Sequence, residues 1–376
     1  MISIYTYISF LLTGLYLLVI VYLIKGWAAL KRPVLSSTTF NTKVTILIAA
    51  RNEEDNLAET IEDLLAQDYP KELTEIIIVD DHSTDNTAGI IRSYADQGVK
   101  LLQLQADQAL NSYKKKAITE AIAMSTGDLL VATDADCRMG SKWLSSIVGY
   151  YEKYNPVMIS SPVNYFHEQS FFERLQTLEF SFLIGIGAAF IGNGRASTCN
   201  GANLAYRKDV FYEVGGFKGI DDLASGDDEL LLQKVAAVYP GRIGFLKLRE
   251  AIVYTYAKPD LGAFLQQRRR WASKSTRYKD KKVVALAVGI WAFNASLILN
   301  VALGFFNPWF FKLLLAEFLV KVLFETALLM PIMDFFKRTA LLKYMVILSP
   351  IHIFYMVYIG LMGNTSKYNW KGRMVR

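Results

Sequence analysis

Leu129-Leu130-Val131-Ala132-Thr133-Asp134-Ala135-Asp136 is the stretch of sequence from which the fold can be inferred. Its apolar run is typical of a parallel strand buried on both faces, and open α/β sheets bind ligands just beyond the carboxyl ends of such strands. Asp134 and Asp136 follow the run at that point. With one small residue between them, their side chains can lie on one side of an extended segment and share a hard divalent cation, which would hold a diphosphate. The alternative for so short a motif is a solvated turn that carries two acids.

Two earlier runs are predicted to be strands of the same α/β sheet. From Val44 onward, short apolar runs alternate with helical stretches, as they do around a parallel sheet. The first run, Val44 to Ala50, ends in Arg51-Asn52-Glu53-Glu54, and the second, Glu75 to Val79, ends in a polar turn from Asp80 to Thr87. Because such turns converge on one edge of a parallel sheet, we expect a nucleotide-diphosphate site there.

Three consecutive lysines, Lys114, Lys115 and Lys116, open the helix that precedes the Asp134 strand. Positive charge at a helix N-terminus opposes the helix dipole, so it is unfavourable unless the side chains serve the phosphates of a ligand or a membrane surface. A solvated run of charges is the alternative. Lys114 is our candidate contact to a ligand.

A second acidic cluster, Asp227, Asp228 and Glu229, follows Ser225-Gly226 far from the first cluster in sequence. The pattern is that of an N-cap followed by acids in a first helical turn. Capping explains one of these acids but gives no reason for three, and a carboxylate outside a metal site is free to act as a base. Asp228 is the candidate base, with Asp227 beside it.

Two stretches are predicted to be helices at a membrane interface. Residues 170–191 are apolar with interspersed charges, and their uncharged part is too short to span a bilayer; a buried domain helix is the alternative. Residues 260–275 include Gln267-Arg268-Arg269-Arg270-Trp271. Arginines there can pair with phosphate oxygens, and the tryptophan can stack against a sugar or exclude water. A purely interfacial basic belt is the alternative.

The apolar ends of the chain predict membrane segments. Hydrophobic residues make up 52% of the 376 residues, and residues 2–24 carry no charge over a length that can span a bilayer. Basic residues follow this run, so we expect an anchor over residues 1–32 with its N-terminus outside and a cytoplasmic domain over residues 43–280. The net charge of +6 clusters beside apolar segments, which favours anionic lipid head groups over nucleic acid as a partner.

Three further apolar stretches, 283–306, 308–333 and 344–362, predict a C-terminal membrane region over residues 283–363. Three full crossings would place the basic tail, residues 364–376, outside and against the positive-inside rule. One stretch is therefore expected to be re-entrant or interfacial.

The middle stretch of this region carries Glu317, Lys321 and Glu325 at four-residue spacing. Side chains at this spacing lie on one helix face and can neutralise one another. Since charges at membrane depth are unfavourable, we expect them to face protein or a polar cavity.

Six short motifs occur in the order and approximate spacing of the family 2 inverting glycosyltransferases with a GT-A fold, and the chain resembles their membrane-integrated branch. The resemblance covers about residues 44–275, and six motifs in register are specific although each is weak alone. It implies a Rossmann-like, mostly parallel sheet with transmembrane helices at both ends. The motifs are Ala50-Arg51-Asn52-Glu53, Asp80-Asp81-x-Ser83-Thr84-Asp85, Asp134-x-Asp136, Asn200-Gly201-Ala202-Asn203, Gly226-Asp227-Asp228 and Gln267-x-x-Arg270-Trp271.

The resemblance also implies roles for residues of these motifs. Asp134 and Asp136 would hold a divalent cation, Mg²⁺ or Mn²⁺, and with it the diphosphate of a UDP-linked sugar donor. Asp228 would match the catalytic base, and Arg270 and Trp271 would contact the departing diphosphate and the acceptor. The remaining candidates would bind the donor, and they are Arg51, Glu53, Asp80, Asp81, Lys114 and Gln267.

We therefore expect an integral protein of the bacterial inner membrane, a metal-dependent inverting glycosyltransferase that moves a sugar from a nucleotide-sugar to a membrane lipid or glycan acceptor. A processive exopolysaccharide synthase is the alternative that the Gln267-x-x-Arg270-Trp271 motif favours, although about four apolar segments are few for a translocation pore. An inactive nucleotide-binding subunit is the third hypothesis, and it conflicts with the complete set of acids. One residue departs from the family pattern, because His82 stands where glycine is usual.

Overall fold

The computed structural model describes residues 2–35, 39–104, 112–278, 280–362, 368–370 and 373–375. Within these residues the chain forms twelve strands and twelve α-helices. The strands are β1 Val44–Ala50, β2 Thr74–Asp80, β3 Val99–Gln103, β4 Leu129–Ala132, β5 Arg138–Met139, β6 Met158–Ser160, β7 Val163–Tyr165, β8 Leu204–Arg207, β9 Ile243–Phe245, β10 Val253–Thr255, β11 Tyr368–Trp370 and β12 Arg373–Val375. The helices are α1 Ile2–Ala29, α2 Leu57–Leu65, α3 Thr87–Ser93, α4 Tyr113–Met124, α5 Trp143–Tyr154, α6 Phe171–Gly192, α7 Lys208–Glu213, α8 Glu229–Val238, α9 Leu261–Ser273, α10 Lys281–Gly304, α11 Trp309–Phe335 and α12 Met345–Met362.

The chain between α1 and α9 forms a seven-stranded mixed sheet with the strand order β3-β2-β1-β4-β8-β6-β9. Within it β8 alone runs antiparallel to its neighbours. β1 pairs with β2 on one side and with β4 on the other, so the strand order reverses between β1 and β4. This reversal is the position at which open α/β sheets bind ligands. The predicted α/β fold with a mostly parallel sheet is confirmed.

The register of the three central strands brings their polar turns to one edge of the sheet. Ala50 pairs with Asp80 across β1 and β2, and Leu47 pairs with Ala132 across β1 and β4. Because each further residue advances a strand by about 3.3 Å, Asp134 follows β4 close to the level at which β1 and β2 end. The convergence that the sequence predicted is therefore present.

The sheet is buried on both faces, as the continuous apolar runs predicted. Leu47 and Ile77 belong to the core on the side of α4, α6 and α8, whereas Ile46 and Ile78 belong to the core on the side of α2 and α5. Alternate residues of a strand point to opposite faces, so a strand buried on both sides needs apolar residues at every position.

Four segments of the described chain are long and apolar enough to cross a membrane: Ile4–Ala29 of α1, all of α6, all of α10, and Thr339–Met362, which contains α12. In α6, 72% of the most apolar 18-residue window is buried within the protein, against 17–28% in the other three. By length and composition the whole helix, its charges included, could cross a membrane, but its burial favours the alternative of a buried domain helix over one at the membrane interface. Most of the helix is enclosed by protein, against α1, α11 and the sheet.

The charges of α11 have partners inside the helix bundle. Lys321 forms a buried ion pair with Glu325, which also accepts a hydrogen bond from the Tyr16 hydroxyl of α1. Glu317 is instead held by neutral groups of α1 and α10. These are Ser9 Oγ at 2.7 Å, Thr13 Oγ1 at 3.0 Å and Asn300 Nδ2 at 2.8 Å. The predicted mutual neutralisation therefore holds for one pair, and the third charge depends on neighbouring helices.

The predicted basic tail, residues 364–376, lies outside the described residues except for the backbones of β11 and β12. These two short strands pair antiparallel. The three predicted C-terminal apolar stretches correspond to α10, α11 and α12. Of these, α10 and the segment that contains α12 are long and apolar enough to cross a membrane.

The contact between α1 and α6 depends on glycine where the helices cross. A Cβ atom added at Gly26 would lie 2.0 Å from the carbonyl oxygen of Ala189. We expect Gly26→Val to force the helices apart and to lower the free energy of unfolding by about 1–3 kcal/mol, measured by thermal unfolding in detergent. Gly14→Val is the matched control on the same helix, because an added Cβ there meets no atom within 4 Å. Equal melting temperatures for the two variants would contradict the prediction.

Candidate active site

Reciprocal hydrogen bonds join the turns that follow β1 and β2. The Asn52 amide donates to Ser83 Oγ at 3.0 Å, and the Thr84 amide donates to Asn52 Oδ1 at 2.9 Å. Asn52 and His82 have φ angles of 49° and 55°, in the left-handed region that favours glycine. The histidine that departs from the family pattern therefore adopts the backbone conformation for which glycine is suited.

Arg51, directly after β1, binds the backbone of the second turn. Its Nη1 donates to the carbonyl oxygens of Asp81 and His82, both at 2.8 Å. The Asp80 carboxylate accepts from the Ser83 amide at 3.2 Å. Asp80 and Asp81 are both buried. Asp81 lines a central cavity, whereas Asp80 lies behind the turn and does not.

Asp134 and Asp136 lie close enough to share a cation. Ligand atoms of these two carboxylates and of Cys137 are all within 4.8 Å of one another. Carboxylate oxygens are the ligands that hard cations such as Mg²⁺ and Mn²⁺ prefer. Burial, and then the adjacent Asp136 carboxylate, raise the pKa of the Cys137 thiol, so the oxygens fit such a cation better than the sulfur does.

Lys114 lies between the two acidic clusters. Its Nζ is 2.7 Å from Asp134 Oδ1 and 3.1 Å from Asp227 Oδ2. Burial disfavours charge on this ammonium group, but the carboxylates of Asp134 and Asp227 outweigh burial and raise the pKa of Lys114. Burial likewise disfavours the charge of Asp227, and Lys114 and Lys115 reverse the effect and lower the pKa of that carboxyl. One cation thus joins two clusters that are far apart in sequence.

Lys115 has a different environment from its neighbour. It is 1% exposed, and its Nζ donates to the carbonyl oxygens of Leu223 at 2.5 Å and of Ser225 at 2.7 Å. These bonds attach α4 to the loop that leads into Asp227 and α8. Lys114 therefore faces the carboxylates, and Lys115 holds the loop on which Asp227 lies.

Asp228 caps α8 and also lines the cavity. Its Oδ1 accepts from the Glu229 amide at 2.6 Å, and its Oδ2 accepts from the Gly201 amide at 3.0 Å. A Cβ atom added at Gly201 would lie 3.3 Å from the Asp228 Cβ, so a larger residue there would press on the carboxylate. Because each carboxylate oxygen has further lone pairs, capping leaves room for Asp228 to accept a proton.

Glu229 is the acid of this cluster that is held most firmly. It is buried, and its carboxylate lies 2.8 Å from Lys274 Nζ and accepts from Thr198 Oγ1 at 2.8 Å. The Tyr278 hydroxyl also donates to it. The carboxylate therefore anchors the segment after α9 to the start of α8.

α9 brings cationic and aromatic groups to the same place. Arg268 is 2% exposed and forms a buried ion pair with Glu179 of α6, while its guanidinium group lies 4.2 Å from the centre of the Trp271 ring. This pair attaches α9 to α6 and positions the tryptophan. The residues of α9 that both line the cavity and were predicted from the sequence are Gln267, Arg270 and Trp271.

A cavity of about 470 Å³ brings these groups together. Its wall runs from the turns at the edge of the sheet, past α6 and α9, to α12. Every predicted site residue except Asp80 lines it, namely Arg51, Glu53, Asp81, Lys114, Asp134, Asp136, Asp227, Asp228, Gln267, Arg270 and Trp271.

Sequence reasoning missed several other lining residues. The arginine run contained a signal for Arg268, since one of three adjacent arginines on a helix faces inward. Nothing in the sequence pointed to the partners that come from distant helices. The missed residues are Glu179, Arg268, Lys274, Tyr278, His352 and Tyr355.

Sequence comparison relates the chain to proteins that transfer sugars. Residues 45–215 match the sequence model of glycosyl transferase family 2. The chain is 31% identical to the beta-monoglucosyldiacylglycerol synthase of Synechocystis sp. over 116 residues. The aligned segment covers 31% of this chain and 24% of that protein. It is 24% identical to the poly-beta-1,6-N-acetyl-D-glucosamine synthase of Staphylococcus aureus over 235 residues. The aligned segment covers 61% of this chain and 53% of that protein. The chain thus spans about half or less of the length of these relatives.

Among solved structures, the fold is similar to that of a mannosyltransferase from Pyrobaculum calidifontis in complex with GDP-Man and Mn²⁺. The TM-score is 0.56, the sequence identity is 19%, and the alignment covers 93% of this chain and 99% of that one.

The two neighbouring lysines of α4 give a test of the loop contact. We expect Lys115→Met to lower the free energy of unfolding by about 2–4 kcal/mol, because two buried carbonyl groups lose a charged donor. Lys116→Met is the control, and as a partly exposed position it should change stability by about 0.5 kcal/mol or less. Denaturant unfolding followed by tryptophan fluorescence measures both, and a Lys115→Met protein as stable as the control would show that the loop contact contributes little.

Proposed function

We propose that the protein is a metal-dependent, inverting glycosyltransferase that moves a sugar from a nucleotide-sugar to a membrane lipid, because residues 45–215 match the sequence model of glycosyl transferase family 2. The position of one end of the cavity supports a lipid acceptor. It extends from the acids at the sheet edge to α12, where Tyr355, Met356 and Ile359 line it. Because α12 lies in a segment that can cross a membrane, an acceptor at that end of the cavity would be in contact with lipid.

The arrangement in the membrane is part of the proposal. The anchor of residues 1–32 would place the transferase domain, residues 43–280, at the cytoplasmic face of the bacterial inner membrane. The region 283–363 would complete the membrane part. The apolar length of α1, α10 and α12 supports this arrangement.

We assign the nucleotide of the donor to the turns after β1 and β2. Arg51, Glu53 and Asp81 line this end of the cavity, and Asp80 would support the turn from behind. A UDP-linked sugar is proposed, whereas the similar mannosyltransferase structure contains GDP-Man. Competition between UDP and GDP for the purified protein therefore tests the nucleotide directly.

The diphosphate is assigned to the neighbourhood of Asp134 and Asp136. When bound there, Mg²⁺ or Mn²⁺ would supply positive charge against the phosphate oxygens. This chain contributes cationic donors of its own, since Lys114 and Arg270 both line the cavity. Their ammonium and guanidinium groups stabilise the charge that develops on the leaving diphosphate.

The acceptor hydroxyl needs a base, because an alcohol is a weak nucleophile at neutral pH. We assign this role to Asp228. The acceptor oxygen forms a bond to the anomeric carbon while its proton passes to the carboxylate. The bond from that carbon to the phosphate oxygen breaks, and its electron pair leaves with the diphosphate. A single in-line displacement of this kind inverts the anomeric centre.

A processive polysaccharide synthase is the second candidate. The Gln267-x-x-Arg270-Trp271 motif and the similarity to the poly-beta-1,6-N-acetyl-D-glucosamine synthase favour it. The two functions differ in the product, because a lipid acceptor leaves after one transfer and a polymer remains for many. A third candidate, an inactive nucleotide-binding subunit, predicts donor binding without either product.

Substitutions in the two acidic clusters should affect transfer and donor binding differently. We expect Asp228→Asn to lower single-turnover transfer by about 100-fold or more and to leave donor affinity nearly unchanged, because it removes the proton acceptor and keeps the shape. Asp136→Asn should weaken metal and donor binding together, because its carboxylate acts before the reaction as well as during it. Donor titration and rapid-quench transfer measure the two effects. If Asp228→Asn transfers sugar at close to the parent rate, Asp228 is only a helix cap and the base must be sought elsewhere.

The product decides between the candidate functions. We expect membranes that contain the protein and labelled UDP-sugars to yield a lipid with a single sugar, detected by mass spectrometry of the organic extract. Membranes with Asp228→Asn are the matched control and should lack this lipid. A long, water-soluble polymer would support the processive alternative, and neither product despite tight donor binding would support the inactive subunit.

A further inference from the structure

A second cavity, of about 1170 Å³, lies against α8 and shares no lining residue with the candidate active site. We call it the lateral cleft. It exceeds the range of about 300–1,000 Å³ that is usual for small-molecule sites. Apolar and basic side chains line it together. The apolar ones include Leu15 and Leu18 of α1 and Leu286 of α10, and the basic ones include Arg195 after α6, Lys218 after α7 and Lys282 at the start of α10.

The lateral cleft lies where the membrane helices leave the transferase domain. α1 and α10 run antiparallel, since the Tyr5 hydroxyl donates to Asn300 Oδ1 and the Tyr16 ring stacks on Phe293 with 4.3 Å between ring centres. The first turns of α10 therefore lie beside the second half of α1. In a bilayer crossed by both helices, that level would be the boundary between the hydrocarbon and the head groups on the side of the domain.

The floor of the lateral cleft is apolar and open. Leu15 and Leu18 are 50% and 66% exposed, and Leu286 lines the same cleft from α10. Exposed leucines on membrane helices are suited to contact with acyl chains. The floor alone would fit any lipid.

The rim of the lateral cleft is basic. Arg195, Lys218 and Lys282 are exposed, and in the described part of the chain no carboxylate lies within ion-pair distance of these three side chains. The two acids that line the cleft have partners of their own. Glu213 accepts from the Tyr239 hydroxyl, and Asp280 caps α10 by accepting from the Lys282 amide at 2.8 Å. Five basic side chains and these two carboxylates line the cleft, so the rim presents a net positive charge above an apolar floor.

The loop that carries Lys218 has a fixed conformation. Lys234 of α8 donates to the carbonyl oxygens of Gly216 and Lys218, the second at 2.9 Å. The backbone passes through positive φ at Gly215 and Gly216. This fixed loop holds one of the three cations above the cleft.

We propose that the lateral cleft binds one anionic phospholipid, with its phosphate among Arg195, Lys218 and Lys282 and its acyl chains along Leu15, Leu18 and Leu286. The charge of the rim selects an anionic head group, because each basic side chain near a membrane surface adds attraction only for anionic lipids. The apolar floor selects a lipid over a free phosphate compound. The site is separate from the transferase cavity, and it rests on the membrane arrangement proposed above but not on the transferase activity.

Native mass spectrometry of the full-length protein in detergent tests the proposal, with phosphatidylglycerol and phosphatidylcholine added at equal concentrations. We expect one phosphatidylglycerol to be retained in preference to phosphatidylcholine. The double variant Arg195→Gln/Lys282→Gln should bind phosphatidylglycerol about 25-fold more weakly, from about fivefold for each charge. Lys71→Gln/Lys142→Gln is the matched control, because both lysines are exposed and lie outside the cleft. This control should bind like the parent.

Three results would overturn the proposal. They are equal retention of both lipids, unchanged affinity in Arg195→Gln/Lys282→Gln, and equal weakening in both double variants, which would indicate a general charge effect. Displacement of the lipid by an equal concentration of glycerol phosphate would show a phosphate site instead of a lipid site. Thermal unfolding of all variants confirms that the comparison is made on folded protein.

Discussion

Electrostatic repulsion between two acidic clusters is the constraint on which the site depends. Asp134 and Asp227 come from distant parts of the chain, and both approach the same cavity. Their negative charges could not lie so close without cations between them. Lys114 joins the two carboxylates, and Lys115 holds the loop that carries the second cluster. The start of α4 therefore assembles the site, although lysines at a helix N-terminus are unfavourable for the helix itself.

A buried ion pair has the corresponding role between α9 and α6. Arg268 of α9 pairs with Glu179 of α6, and α6 packs in turn against α1 and α11. Removing one partner of such a pair lowers the free energy of unfolding by more than the intact pair contributes to it, because an uncompensated charge is left buried. The position of α9, and with it that of Arg270 and Trp271, is thereby linked to the long apolar helices α1 and α11.

Much of the fold and of the candidate site could be predicted from the sequence because the relevant signals are local. Apolar runs that end in acids identified β1, β2 and β4, and short motifs identified most of the cavity wall. Asp80 lies behind its turn because adjacent residues of a strand point in opposite directions, and the motif alone does not show which of the two aspartates faces the ligand. The pair Glu179 and Arg268 was missed because its partners belong to different helices. The choice between an interfacial and a buried α6 could not be made from the sequence, because it depends on the packing of α6 against α1, α11 and the sheet.

The neutral partners of Glu317 have a consequence for biosynthesis. An ionisable residue at the centre of a lone helix makes membrane insertion less favourable by about 2.5–3.5 kcal/mol, and α11 carries several. Ser9 and Thr13 in α1 and Asn300 in α10 all precede α11 in the chain. A ribosome therefore completes the partners before it completes the helix that needs them. The order of the helices along the polypeptide means that α11 packs against helices that already offer it hydrogen bonds.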